Sequence, residues 1–523
     1  MASPLIPQKS TISKVDQQFI LLLVAIYFLL GLIGTLNHAM WRDELHVWMV
    51  GRDSDSLFDL FYQMRYEGHP GLWYFCLYLV SKFTDNPVFM QILHLLFATG
   101  FVYLFVRYSP FIKLHKILFT FGYFSIYEYL VISKNYAIGI FLLFTFCTLF
   151  ERRKQDYLLL AVILFLVANT NAYCLFIATA LGLTLMGEYC LGTRVGYHST
   201  ASKTNITTSI LIFILGIISS LVQIIPHADA TSQGGLGGWI LRFDPQHLAS
   251  VITRIWNSHI LILVPSSRYL DLLIFAIFSL GLLLFVSTLL IKKPFALFVY
   301  LFGTLEILAL TYVKFFGSLR HHGNLYILLI VVLWLASYYP NSDLLIKPLK
   351  QLPRKLQPLI TTWLQFVSKY KTAFITIILT AQVIAGMIAF TRDFFVPYSA
   401  SRETANFIRS QQLEQKFIVG SRDVAVSPIA GYLKGKIYYP ESKSLGGFVR
   451  FNSQRKEVNS TEVLEQVSKL LQQQQMEILL ILNYKLDSSR PDLSISPVAQ
   501  FTKSFIHDEK YYLYTVRPKR RAP

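Results

Sequence analysis

The sequence predicts a polytopic α-helical membrane protein with a small C-terminal α/β domain. Three observations predict it. Apolar stretches of about 20 residues, the length a helix needs to cross a bilayer, recur over most of the chain. The chain is 54% hydrophobic and only 15% charged, too little charge for a soluble protein of 523 residues. After about Arg392 the long apolar stretches give way to a polar pattern that alternates between helix and strand.

Spanning stretches lie near 19–36, 88–106, 117–132, 136–150, 157–168, 173–190, 208–225, 270–291, 295–313, 325–338 and 372–390, about eleven in all. The first is followed by no small-residue cleavage site and reads as a retained helix rather than a signal peptide. A further apolar segment, 70–83, has only about 14 residues, the range of an interfacial or buried segment. Loop charge decides whether it crosses. With a cytoplasmic N-terminus and 70–83 lying on the membrane surface, one set of loops falls inside. It holds Lys113 and Lys116, Arg152-Arg153-Lys154, Arg194 and Lys203, Lys292-Lys293, and Lys347, Lys350, Arg354, Lys355, Lys369 and Lys371. That obeys the positive-inside rule at each cytoplasmic loop. The expected protein is therefore a multi-pass cell-membrane protein, with a membrane domain over 1–391 and an extracytoplasmic domain over 392–523. Loops 37–87 and 226–269 are then external. Trp41, Trp48 and Trp73 in the first of these suit the interface.

The last region reads as helices at 401–410, 428–433 and 463–474 and strands at 416–419, 436–439, 478–482 and 511–516. It holds no paired acids, phosphate loop or metal cluster, and is expected to be a cap that shapes acceptor access rather than a catalytic unit.

Composition also excludes some classes. A net charge of +18 raises the question of nucleic acid, but the basic residues sit mostly between apolar stretches. They read as topology signals and contacts to anionic membrane lipids, and no nucleic-acid motif is present. Cys76, Cys147, Cys174 and Cys190 each lie in apolar segments and form no CxxC, so they are core residues. The glycine run at 234–238 follows no strand of a βαβ unit and reads as a mobile loop, either a flexible linker, the favoured reading, or a lid over the site.

The chemistry gathers in the first external loop. Trp41-Arg42-Asp43-Glu44 stands just beyond the first helix, followed by Glu67-Gly68-His69-Pro70. A carboxylate here can take a proton from an acceptor hydroxyl. It can also bind a divalent cation that neutralises a leaving phosphate, so metal use stays open. Adjacent residues on a helix point about 100° apart, so Asp43 and Glu44 cannot share one job. One can act as base while the other holds acceptor or structure. The plainer reading is a pair of acids favoured by a helix N-terminus.

These residues resemble the GT-C superfamily of glycosyltransferases, most closely its bacterial branch related to protein O-mannosyltransferases and the aminoarabinose transferase. Asp43-Glu44 and His69-Pro70 stand in the order and spacing of that family. Ser133-Lys134-Asn135-Tyr136-Ala137 stands at the place of a later outer turn, with Lys for the family's Arg and a shorter length. Arg320-His321-His322 supplies a basic group before a late helix. The resemblance runs from Phe19 to about Phe390, and the outer domain fits in kind.

The resemblance implies a GT-C fold and an inverting membrane glycosyltransferase. Its donor is a sugar on polyprenyl phosphate, entering from the bilayer, and its acceptor is a glycan, lipid or protein on the outer face. Asp43 is expected as base with Glu44 beside it. Arg320 and Lys134 steady the phosphate, His69 shapes the pocket, and Tyr136 and His321 contact substrate. Cations at outer helix ends, Lys134, Lys314, Arg320, His321 and His322, suit a leaving group that gains negative charge. The bland alternative is snorkelling to headgroups. Adjacent histidines without a nearby acid are weak as a metal site. Glu128 and Asn171 lie near outer helix ends, and Glu306 lies deeper with no assigned role. Two other classes stand beside this one. A lipid-linked saccharide transporter or flippase places charges deep in several helices. A non-catalytic scaffold leaves the Asp-Glu loop dispensable.

Overall fold

The computed structural model describes residues 13–192, 199–231, 239–353, 355–474 and 476–519. The glycine run at 234–238, Arg194 and Arg354 lie outside the described residues. A helical bundle extends to Phe395 and a small sheet domain follows from Ser401.

Helix α1 (Lys14–Asn37) starts where the Ser13 hydroxyl accepts the Asp16 N–H, satisfying a free helix donor. Its last carbonyls, of Leu36, Asn37 and His38, accept from the Arg402 guanidinium. Three short helices follow: α2 (Arg42–Arg52), α3 (Leu57–Met64) and α4 (Leu72–Ser81). Helix α4 has 10 residues and buries Trp73, Tyr74 and Leu77, packing against α2. Then come α5 (Val88–Tyr108), α6 (Lys113–Thr120), α7 (Tyr136–Leu149), α8 (Leu158–Ala168), α9 (Ala172–Leu191) and α10 (Lys203–Ile224). The bundle closes with α11 (Pro245–His259), α12 (Tyr269–Leu290), α13 (Pro294–Val313), α14 (Leu319–Ala336), the short α15 (Ile346–Lys350) and α16 (Gln357–Phe395).

Among the described residues, eight helices are long and apolar enough to cross a membrane: α1, α5, α9, α10, α12, α13, α14 and α16. The other three of the expected eleven stretches, 117–132, 136–150 and 157–168, do not form long helices. Helices α7 and α8 have 14 and 11 residues, and α7 runs on into a 3-10 turn at Phe150–Lys154. The stretch 117–132 is not one helix. α6 ends at Thr120, a π-turn occupies Phe124–Glu128, and the chain is irregular to Asn135. Hydropathy cannot tell a buried irregular segment from a helix. Here side chains of the surrounding helices satisfy its backbone. Tyr27 donates to Ser125 O at 2.6 Å, His94 Nδ1 lies 3.0 Å from Leu130 O, and Ser133 N donates to Glu44 Oε1 at 2.6 Å. The stretch 226–269, expected as a loop, contains α11. Helix α11 buries Ala249, Val251 and Ile255 and packs on α12 and α14.

The sheet domain is built from α17 (Ser401–Ser410), β1 (Phe417–Ser421), α18 (Asp423–Leu433), β2 (Ile437–Tyr439), β3 (Ser444–Gly446), α19 (Ser460–Gln474), β4 (Ile478–Leu482), β5 (Leu493–Phe501) and β6 (Tyr511–Pro518). The strand order is β3-β2-β1-β4-β6-β5, with β1 parallel to β2 and β4 and the remaining pairs antiparallel. Strands β3 and β5 have no counterpart in the sequence reading. Pro497 argues against a strand over 493–501, but β5 is an edge strand with a register shift at Pro497, where a missing N–H is tolerated. One face of the sheet packs α19 through Val463, Val467 and Leu471. The other face joins α17 and α18 to Leu45, Trp48 and Met49 of α2 in one apolar cluster. A Cβ at Gly431 of α18 would stand 3.2 Å from Leu45, so α18 and α2 meet closely there. The helix that carries Asp43 is thus clamped between the bundle and the sheet domain.

Candidate functional site

Two adjacent acids on α2 face opposite ways. Glu44 is fully buried. Its Oε2 meets His38 Nε2 at 2.9 Å and the Trp41 N–H at 3.3 Å, and Oε1 takes Ser133 N. His38 Nδ1 reaches Asp393 Oδ2 at 2.8 Å. A buried Glu–His–Asp row therefore pins the start of α2 to the ends of α1 and α16. Burial opposes charge on His38, but the two carboxylates overcome it and push its pKa up to about 10. Glu44 holds structure, the second of the two roles the helix geometry allows.

Asp43 faces an opening. Its Oδ2 lies 2.8 Å from Lys134 Nζ and 2.8 Å from Arg320 Nη2. The three side chains are 28%, 16% and 20% exposed, so the cluster is reachable from outside the core. Lys134 comes from the irregular segment before α7, and Arg320 from the first turn of α14. The Tyr129 hydroxyl fixes that turn by donating to Arg320 O at 2.7 Å. Trp41 lies beneath the cluster. Its ring centroid is 5.2 Å from the Arg320 guanidinium, 5.8 Å from Lys134 Nζ and 5.5 Å from the Arg42 guanidinium, an arrangement that holds cations over an aromatic face.

The electrostatics follow. Burial opposes ionisation of Asp43, but Lys134 and Arg320 outweigh it and hold the carboxyl well below the usual range. Burial, with Arg320 adding to it, lowers the Lys134 pKa. Asp43 was expected as a base. With two cations on one oxygen it is, in this state, a weak one, and works as the hub of an ion cluster.

The other expected residues lie around this hub. Exposed His69 turns its Nδ1 to Glu67 O at 2.7 Å. Gly68 before it has φ +63°, a conformation that favours glycine. Tyr136 and His321 form an aromatic wall with Tyr129 and Tyr173. Ring centroids are 5.0 Å apart for Tyr129–Tyr136 and 5.4 Å for Tyr173–His321. His321 Nδ1 accepts the Ser318 N–H at 2.8 Å and caps α14, while His322 Nε2 lies 2.8 Å from Phe316 O. Lys314 lies over the Trp239 ring. Asn171 is the N-cap of α9, and Glu128 accepts from the Tyr123 hydroxyl at 2.6 Å. Oε2 of half-buried Glu306 has no partner among the described residues.

A divalent cation does not fit these donors. Asp43 Oδ2 is occupied by two cations and Glu44 is committed to His38 and Ser133. Among the described residues no group of three or more His, Cys, Asp or Glu side chains converges on a metal position.

Four residues of the site escaped the sequence reading: His38, Trp41 and Asp393 in the roles above, and His46, whose Nε2 lies 2.8 Å from Glu67 Oε1. For His46 there was a signal, since it stands three residues after Asp43 and shares its helix face. Asp393 had none, being 350 residues away in the chain from Asp43. No family model, curated protein sequence or solved structure matches this chain.

Proposed function

We propose that this chain is a membrane glycosyltransferase that moves a sugar from a polyprenyl-phosphate donor to an acceptor on the outer face, with inversion. The observation that carries this reading is the pair of cations on Asp43 Oδ2 at 2.8 Å each, partly open to the outside at one end of a strongly apolar bundle. An apolar bundle suits the prenyl tail, and Lys134 and Arg320 suit the phosphate.

The chemistry then runs as follows. The donor phosphate competes with Asp43 for Lys134 and Arg320. As the sugar C1–O bond breaks, the bond pair goes to the phosphate oxygen. Cations already in place stabilise that growing charge without reorganising. Asp43, freed from one or both cations, turns to the acceptor hydroxyl and orients it for attack on the opposite face of C1, where the new C1–O bond forms as the hydroxyl gives its proton to a base beside the site. The Trp41 ring keeps both cations in register through the exchange.

The test uses the purified full chain in lipid nanodiscs with a panel of polyprenyl-phosphate-linked hexoses and pentoses. Release of polyprenyl phosphate is the readout. Mass spectrometry of envelope glycans, lipids and glycoproteins with and without the gene identifies the product. No donor turnover, together with an unchanged envelope, overturns the reading.

A further inference from the structure

One polar pair at the site has no role in the chemistry so far. His46 sits one helical turn after Asp43 on the same face of α2. Its Nε2 lies 2.8 and 2.9 Å from the two Glu67 oxygens. A carboxylate only accepts, so Nε2 carries the hydrogen, and in the neutral ring Nδ1 is the free acceptor. Among the described residues Nδ1 has no hydrogen-bond partner. Glu67 is itself held, by the Tyr74 hydroxyl at 2.9 Å. The His46 side chain is 12% exposed.

We propose that His46, oriented by Glu67, takes the proton of the acceptor hydroxyl in the transfer step. This rests on the glycosyltransferase reading above. The acceptor oxygen bonds to sugar C1, and the C1–O(phosphate) bond breaks with its pair going to phosphate. The hydroxyl proton passes to His46 Nδ1. The imidazolium so formed stays paired with Glu67 and later gives its proton to water.

Two arguments favour His46 over Asp43 for the proton. First, Asp43 Oδ2 holds Lys134 and Arg320 at 2.8 Å each, and a cation that stays on it through the transfer suppresses its proton affinity. Burial opposes charge on His46, as does Lys134, but Glu67 and Asp43 prevail and raise its pKa from the ordinary value. With its proton affinity raised where that of Asp43 is lowered, His46 is the stronger proton acceptor of the two. Second, His46 has the setting of an acceptor site. Its ring is flanked by Phe448 at 6.0 Å and Phe451 at 5.8 Å, both from the loop between β3 and α19. That loop is tied down by Thr231, whose N–H donates to Phe451 O at 2.9 Å and whose hydroxyl donates to Asn452 O at 3.1 Å. An aromatic wall beside a base suits the apolar face of a sugar ring or another flat acceptor.

The experiment is a pH–rate profile of polyprenyl phosphate release, using whichever polyprenyl-phosphate hexose or pentose the wild type turns over. The wild-type rate should climb along a limb with an apparent pKa above 6.5, the ordinary histidine value. His46→Gln should lose about 10²-fold or more and abolish the limb. It should still bind sugar-free undecaprenyl phosphate as the wild type does, which reports an intact fold. Glu67→Gln removes the charge that raises His46, and should move the limb to lower pH. If His46→Gln does not fold, the Glu67→Gln shift decides. A wild-type limb in the carboxylate range, or an unchanged limb in the folded variants, overturns the role of His46 and leaves the glycosyltransferase reading standing. Absence of turnover on every donor overturns both.

Discussion

At the scale of single residues, the site depends on which charges neutralise which. Asp43→Asn keeps shape but leaves Lys134 and Arg320 unopposed. Turnover should fall about 10²-fold, the scale of a misplaced reactant, because the acceptor hydroxyl loses the group that orients it. Binding of undecaprenyl phosphate should hold or tighten, because the phosphate no longer competes with a carboxylate. Arg320→Ala should weaken both binding and turnover, since the phosphate is charged in the ground state and more so in the transition state. Binding and turnover measured on both variants in the same nanodiscs separate the two effects; equal losses in both variants would sink the scheme. His38 makes a different kind of statement. Its folded pKa is raised from 6.5 to about 10, so its stabilising contribution is complete below pH 6.5 and is lost as pH rises towards 10. His38→Gln should be less stable than wild type at pH 6. The gap in thermal midpoint between them should shrink steadily up to pH 10. A constant gap would show that His38 is not charged in the fold.

At the scale of elements, α2 and the irregular segment after α6 do the positioning. Helix α2 presents Asp43 and His46 on one side and sends Glu44 to the other. The irregular segment brings Lys134 to Asp43 and lends Ser133 N to Glu44. It can do so only because α16 lets it approach. A Cβ at Gly386 of α16 would stand 2.9 Å from Tyr123 N and 3.0 Å from Phe121 O, and backbone cannot swing aside as a side chain can. Gly386→Val should therefore destabilise the fold by about 1–3 kcal/mol through overpacking. Thermal unfolding of the purified variant checks this, and an unchanged midpoint would mean the contact is looser than the geometry indicates. The hydropathy of 117–132 was legible and its conformation was not. Its backbone partners are Tyr27, His94 and Glu44, all distant in sequence from the groups they satisfy.

At the scale of the whole molecule, the sheet domain is joined to the bundle through the residues around Asp43. The Met40 N–H donates to the Tyr432 hydroxyl at 2.8 Å, and the Ser401 hydroxyl donates to Met40 O at 3.1 Å. Arg42 pairs with Asp508, and its N–H donates to Glu509 Oε1 at 3.1 Å. Burial pushes the Glu509 pKa up to about 8. Any movement of the sheet domain therefore reaches the first turn of α2 directly. From loop charge we propose a cytoplasmic N-terminus and an external sheet domain, an arrangement that needs an odd number of crossings and so one or more of the shorter apolar pieces spanning beside the eight long helices. A reporter fused after Pro523 should be active only outside. One inserted beside Lys350 should behave oppositely, and cytoplasmic activity of the first would reverse the topology.

By itself the sequence determined the class of molecule, the long apolar helices, most of the sheet-domain elements and the residues worth testing at Asp43, Lys134 and Arg320. These are legible because hydropathy, period and charge are properties of neighbours in the chain. Only the tertiary structure decided that the expected eleven spans are eight long helices with shorter and irregular pieces between them. It also decided that Glu44 is locked to His38, which itself holds Asp393, that Asp43 carries two cations on one oxygen, and that His46 pairs with Glu67. Each of those outcomes depends on the distance between groups far apart in sequence. Whether a carboxylate is a base, a strut or an ion-pair hub depends on the charge and burial around it, and the chain order does not encode those locally.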